Sequence, residues 1–278
     1  MGFVLCFPGF KRKAACFSYD DGVLQDRELV RLFRKHHMRA TFNLIPGTYE
    51  KRVIRKDKDG NDIDCSHLSL SESLKLYEGM EIANHSLTHP WLNALDAQGN
   101  RAEIAAAEQA LYEQFGTEVR GFAYPFGTYG TATLETLQDL GYSYARPTRS
   151  TYRFSSPASW LSWQPTIHHR DSLLWQTLET FLATEEELPV FFVWGHAYEF
   201  AIDHNFDIMD ALLSRLEGAD DVAVMTCLEV AEYKKAASLV YEIRRVDNHR
   251  LVNPSSMDID MLFEGKPMRI PAYSEVVL

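Results

Sequence analysis

Three short stretches of this sequence put groups able to hold a metal or move a proton just after apolar runs. "CFSYDDGV" brings two adjacent carboxylates, Asp20 and Asp21, followed by Gly22; "NHSLTHP" carries His85 and His89; "FFVWGHAYEF" carries His196. Like charges side by side repel, so the aspartates form either a solvated turn or a site where a cation or proton separates their roles. The spacing of His85 and His89 lets both imidazoles meet one ion if the segment between them curls through about a turn, and Pro90 stops any helix there. Two histidines and one aspartate make a nitrogen/oxygen set with a position left open for water, as catalytic zinc requires. One aspartate can then bind the ion while its neighbour works on the water, and Gly22 permits the tight turn behind them. Singly, each stretch has a plainer reading as a turn, a surface pair or a core histidine. Their joint appearance at three strand ends is what gives them weight.

The elements that must position these groups read as alternating strands and helices. "AACFSY", "RATFNLI", "GMEIAN", "VRGFAYP", "YSYAR", "WQPTIH", "PVFFVWG" and "DVAVMT" are buried-strand patterns. Between several of them lie helical periods such as "DRELVRLFRKH" and "FDIMDALLSRLEG". Repeated strand–helix units imply a parallel sheet, and about eight strands in this length suit a closed or nearly closed barrel, with a doubly wound open sheet as the structural alternative. In such a barrel the C-terminal strand ends share one face, so the three stretches would meet at one mouth. After residue 237 the period changes to two. In "SMDIDMLF", Met257, Ile259, Met261 and Phe263 share one face while Ser256, Asp258 and Asp260 take the other. The expected division is therefore a barrel over residues 1–237 and a small C-terminal β meander over 238–278, packed on it. "KRVIRKDKDGNDIDCSH" reads as a charged surface loop in which Cys65 and His67 complete no ligand set.

Composition narrows the partners. The chain has 278 residues, and its 28 Lys and Arg against 39 Asp and Glu give a net charge of −11, which disfavours nucleic acid and other polyanions. No segment is long and apolar enough to span a membrane, and the start lacks the order of a secretory signal, so the reading is a soluble protein, cytoplasmic by default; a removed leader would leave no trace. Cys6, Cys16, Cys65 and Cys227 show no paired spacing and read as reduced thiols.

With "SYDDG", "HSLTH", "GFAYPFG" and "FFVWGH" in this order and approximate spacing, the chain resembles the polysaccharide deacetylase family, carbohydrate esterase family four. The resemblance covers most of residues 14–197. It implies a distorted (β/α) barrel of about seven or eight parallel strands, a metal-dependent hydrolase of N- or O-acetyl groups on a sugar or oligosaccharide, a divalent ion, most suitably zinc, and a set of roles. Asp20 matches the general base, Asp21 the carboxylate ligand, His85 and His89 the imidazole ligands, and His196 the general acid. Phe126 stands where the family uses a main-chain N–H to hold the oxyanion.

Two departures accompany the resemblance. Many members carry, at the position of Ala123, an arginine that orients the base, and the family's acidic-plus-Trp motif is not visible, although Trp160 and Trp163 lie in that region. Arg146, at the end of "YSYAR" and before Pro147, is the candidate to reach Asp20 in place of the missing arginine. Arg146 and Trp163 are also the residues set beside the substrate, Trp163 as a stacking platform for a sugar ring. His168, His169 and Arg170 end a strand on the active face, and Tyr198 and Glu199 follow His196 closely enough to line the mouth. The rival readings are an amidase for a non-sugar amide and a carbohydrate-binding protein on a retired scaffold; an intact base, ligand set and acid speak against the latter.

Overall fold

The computed structural model describes residues 2–245 and 248–278. Its centre is strand β1 (Lys13–Asp20), in which all eight residues are buried. A run this apolar suits a strand covered on both faces, as in a parallel sheet. The other sheet strands are β2 (Thr41–Leu44), β3 (Glu81–Asn84), β4 (Gly121–Ala123), β5 (Tyr144–Arg146), β6 (Ile167–His168), β7 (Val190–Gly195) and β8 (Val222–Val224). Seven run in the order β5-β4-β3-β2-β1-β7-β6, with β8 also on β1. β2 pairs with Ser18–Asp20 and β8 with Lys13–Ala15, so they share one side of β1, above and below. All these pairings are parallel. The result is a curled half-barrel. β5 and β6 are not paired with each other, and the segment between them bridges the gap: Trp163 N–H donates to Ala145 O (3.0 Å) and Thr166 N–H to Phe192 O (2.9 Å).

Helices α1 (Asp26–Lys35), α2 (Leu70–Leu76), α3 (Ala97–Phe115), α4 (Thr131–Asp139), α5 (Leu174–Ala183), α6 (Ala197–Asp203), α7 (Phe206–Glu217) and α8 (Cys227–Ala237) connect or follow the strands. None is long and apolar enough to cross a membrane among the described residues. Strand alternation sorts β1: Phe17 and Tyr19 pack outward with Phe33 of α1 and Leu212 of α7, whereas Ala14 and Cys16 belong to the cluster with Phe192 and Cys227. Ser18 and Asp20 continue that second face toward the mouth, where it turns polar.

The C-terminal residues form two small antiparallel sheets. Phe3–Cys6 pairs with Ile259–Phe263, which pairs with Lys266–Ile270; Tyr241–Arg245 pairs with Asn248–Asn253, which pairs with Ser274–Val277. The chain's first strand thus belongs to the C-terminal sheet. Ile259 and Met261 are buried as their alternation requires, but Asp260, expected on the outer face, is buried too, because it accepts from Gly9 N–H (2.8 Å) and Arg269 Nε (2.6 Å). The charged stretch after residue 51 is more ordered than a plain loop: Ile54–Lys56 and Asp62–Asp64 form a β-hairpin.

Candidate active site

Asp20 closes β1, and the backbone then turns through two left-handed residues, Asp21 (φ 83°) and Gly22 (φ 70°). A Cβ at Gly22 would stand 3.0 Å from Leu44 Cδ2, so glycine meets both the torsion and the space. The turn separates the carboxylates: Asp20 is sealed, with its side chain 3% exposed, and Asp21 is open to the cleft at 16%.

Asp20 is held ionised. Arg146 Nη2 donates to both its oxygens (2.5 and 2.6 Å), and Asn43 Nδ2 donates to Oδ1 (2.8 Å). Burial alone would push the carboxyl up; the Arg146 guanidinium, with His85 and His196 beside it, wins and holds it at about 2. Arg146 sits on β5 in register with Ala123 on β4, so the guanidinium enters from the strand next to the one where relatives are expected to carry it. Its remaining donors go to Ser18 Oγ (3.1 Å) and Pro147 O (3.1 Å), and its face lies 4.6 Å from the Trp194 ring. The residue is fully buried. As a substrate contact Arg146 therefore does not serve, because its donors and its face are committed inside the protein.

His85, just after β3, donates from Nδ1 to Ala123 O (2.8 Å). A carbonyl only accepts, so Nδ1 carries a proton and Nε2 is the atom turned to the carboxylates, 3.8 Å from Asp21 Oδ1 and 3.9 Å from Asp20 Oδ2. His89 is left-handed (φ 61°), and burial, then the neighbouring His85, lowers it to about 4, so it is neutral near pH 7. One donor atom each from Asp21, His85 and His89 lie within 4.8 Å of one another. One carboxylate with two imidazoles, one of them oriented through Nδ1 by a carbonyl, fits a zinc-like divalent ion.

His196 follows β7 and caps α6. Its Nε2 is 3.9 Å from Asp20 Oδ2 and its Nδ1 is 3.3 Å from Glu199 Oε2. Burial would lower this imidazole, but Glu199, Asp21 and Asp20 raise it to about 9. Glu199 Oε2 also accepts the His196 main-chain N–H (2.9 Å) and lies 3.1 Å from His168 Nε2. His168 Nδ1 accepts from Arg170 N–H (3.1 Å), so in its neutral form Nε2 carries the proton and donates to Glu199. That tautomer removes the lone pair a metal would need, so His168 and Glu199 act as a polar support behind His196, with His169 packed beside them and its ring nitrogens without hydrogen-bond partners among the described residues. His169 is buried and stacked on Phe200 (centroids 4.0 Å), and burial takes it well below the usual histidine range. Expected on the active face, His168 and His169 stand behind His196. Gly195 makes this possible: a Cβ there would lie 2.0 Å from His169 Nδ1.

A cleft of about 490 Å³ opens over these groups, walled by Phe126 on one side and by Tyr198 and Arg55 on the other. Phe126 is left-handed (φ 57°) and stacks on Trp91 with centroids 4.0 Å apart and planes at 9°. Both rings are about half exposed. Trp163 is a different case. It is 4% exposed and packed among Tyr144, Trp160 and Phe192, so the platform expected from it has no free face; the periodic aromatic is core, and the exposed ring pair is Trp91–Phe126.

The family model for polysaccharide deacetylase matches residues 8–145. The chain belongs to the polysaccharide deacetylase family. The match ends just before Arg146 and well before His196, whose places in the site rest on geometry. An uncharacterized protein of Streptomyces coelicolor is 31% identical over 127 residues, which are 45% of this chain and 43% of that protein, so the matched stretch spans less than half of that relative. Among solved structures, the Xyl-CE4 domain of a multidomain xylanase from the hindgut metagenome of Trinervitermes trinervoides shares the fold at TM-score 0.54 and 16% identity, covering 81% of this chain and 92% of that one. A family four pseudoenzyme from Bacillus anthracis does so at TM-score 0.50 and 14% identity, covering 82% and 68%.

In this polysaccharide deacetylase fold Glu199, expected to line the mouth, instead stands behind His196, at the capping-box spacing three residues after a strand-ending histidine. Asn43, Trp91 and Trp194 escaped the sequence reading and carried no signal in it.

Proposed function

We propose that the chain is a metal-dependent deacetylase of an N- or O-acetylated sugar or oligosaccharide. The observation that carries this reading is the meeting of a sealed, ionised Asp20, a ligand-type set of Asp21, His85 and His89, and a protonated His196 around one cleft. A base and an acid 3.9 Å apart have no use in a binding module, so the retired-scaffold alternative is disfavoured even though the fold also occurs in a pseudoenzyme.

Asp21, His85 and His89 hold the divalent ion, which when bound supplies Lewis acidity to water and to the acyl oxygen. Asp20 is ionised at any working pH and, being a weak base, suits only a water that is already acidified; it accepts that proton while Arg146 fixes its orientation. The main-chain N–H of Phe126 donates to the oxyanion as the acyl carbon becomes tetrahedral. His196, held by Glu199, gives its Nε2 proton to the departing amine or hydroxyl. The exposed Trp91–Phe126 pair gives a pyranose ring an apolar face to lie on. Acetate release from a panel of N-acetyl and O-acetyl sugars, with the chain loaded with zinc and then stripped by chelation, tests the reading. Failure of the loaded chain on every substrate overturns it.

A further inference from the structure

The hairpin of Ile54–Lys56 and Asp62–Asp64 turns into the cleft one charge that makes no ion pair among the described residues. The other charges of its strands, with Asp57 beside them, are engaged: Lys56 pairs with Asp62 (2.6 Å), Asp57 with His204 (3.0 Å), and Asp64 accepts from Ser66 N–H (3.0 Å). Register separates Arg55 from them. Arg55 lies opposite Ile63 and Lys56 opposite Asp62, so alternation turns Arg55 to the other face of the hairpin, which is the cleft. There its guanidinium lies 4.1 Å over the Tyr198 ring, and among the described residues it makes no ion pair. The hairpin is tied to α6 by the Lys58 N–H to Ile202 O bond (3.0 Å) and by His204, so Arg55 is fixed relative to Tyr198, whose ring is 5.0 Å from that of His196.

The two arginines of the cleft are opposites. Arg146 is buried and fully committed to protein partners; Arg55 is exposed, aimed by an aromatic ring, and keeps its donors free. A cation–π contact leaves the edge of a guanidinium open for a bidentate acceptor. His196 marks the side of the cleft where the leaving sugar sits, so that acceptor would belong to the sugar and not to the acyl group. Resting on the deacetylase reading, we propose that Arg55 recognises an anionic group on the sugar, and that the substrate class is an acetylated carbohydrate bearing a carboxylate close to its acetyl group. A net charge of −11 argues against a densely charged polymer and makes this cation a local selector for a singly charged unit.

Two tetrasaccharides test this by calorimetry on the zinc-loaded chain: the N-acetylglucosamine tetramer, and the alternating tetramer of N-acetylglucosamine and N-acetylmuramic acid, which differs by its carboxylate-bearing ethers. The expected result is a preference of about ten- to a hundredfold for the carboxylated ligand, the range of a hydrogen bond to a charged group. The preference shrinks as salt is raised, collapses in Arg55→Gln and is partly kept in Arg55→Lys. Equal binding of the two by the native chain, binding of neither, or a preference that survives Arg55→Gln overturns the proposal. Binding does not require turnover, so a chain with this preference that releases no acetate would refute the deacetylase reading and leave the role of Arg55 standing.

Discussion

Arg146 reaches Asp20 across the interior of the half-barrel: β5 and β1 are separated by three strands along the sheet, yet one guanidinium nitrogen donates to both carboxylate oxygens at 2.5 and 2.6 Å. The pair closes the mouth end of the curl where backbone hydrogen bonds do not. It also sets the charge state of the proposed base.

Arg146→Ala should therefore change pH dependence as well as rate. With its strongest opposing charge gone, burial dominates and the Asp20 pKa rises, so the acidic limb of the pH–rate profile moves to higher pH. Bound zinc is retained, because Arg146 touches none of the proposed ligands. Losing one partner of a buried pair also destabilises the fold, by about 3–5 kcal/mol, measurable by urea unfolding at pH 7. A variant with native pH dependence would contradict the assignment.

The two aspartates should separate cleanly by metal content. Asp20→Asn keeps the ion and loses on the order of a hundred- to ten-thousandfold in rate. Asp21→Ala loses the ion itself, as read by elemental analysis after gel filtration. The opposite pattern would exchange the two roles.

Glu199→Gln tests the support behind His196. The acid must be protonated to work, so activity falls as pH rises through its pKa, which Glu199 helps to hold near 9. Against the burial that lowers it, the imidazole then loses its strongest support, and the basic limb moves to lower pH. His196→Ala should slow poor leaving groups such as sugar amines far more than nitrophenolate.

Much of this site was legible because each group ends a strand, and strand ends of a parallel barrel share a face. Asp20, Asp21, His85, His89 and His196 each follow an apolar run, and Arg146 was marked by the proline after it. Trp163 misled because an aromatic in a strand-like period looks the same whether it faces a core or a ligand; only packing against Tyr144 and Phe192 decides. Arg55 was hidden because a charged loop gives no sign of which charges will find partners, and hairpin register settles that. The half-open sheet and the joining of Phe3–Cys6 to the C-terminal strands depend on pairings between distant residues, which local patterns do not encode.

A fourth prediction concerns stability. Asp26, at the start of α1, is buried and pushed up to about 8, chiefly by burial, while it accepts from Tyr77 Oη (2.5 Å). The folded state keeps a proton that the unfolded state releases near pH 4. The associated stability is complete below that pH and is lost as pH rises toward 8. Asp26→Asn removes the dependence. The stability difference between variant and native chain should shift in the variant's favour by about 1 kcal/mol per pH unit between pH 5 and 7. A pH-independent difference would show that Asp26 is ionised throughout.

The measurement closest to the central claim follows acetate from an N-acetylated oligosaccharide while zinc is removed and restored. The account predicts release by the loaded chain, its disappearance on chelation, its return with zinc, and no return in Asp21→Ala. Acetate released undiminished by the stripped chain, or by Asp21→Ala, would contradict it.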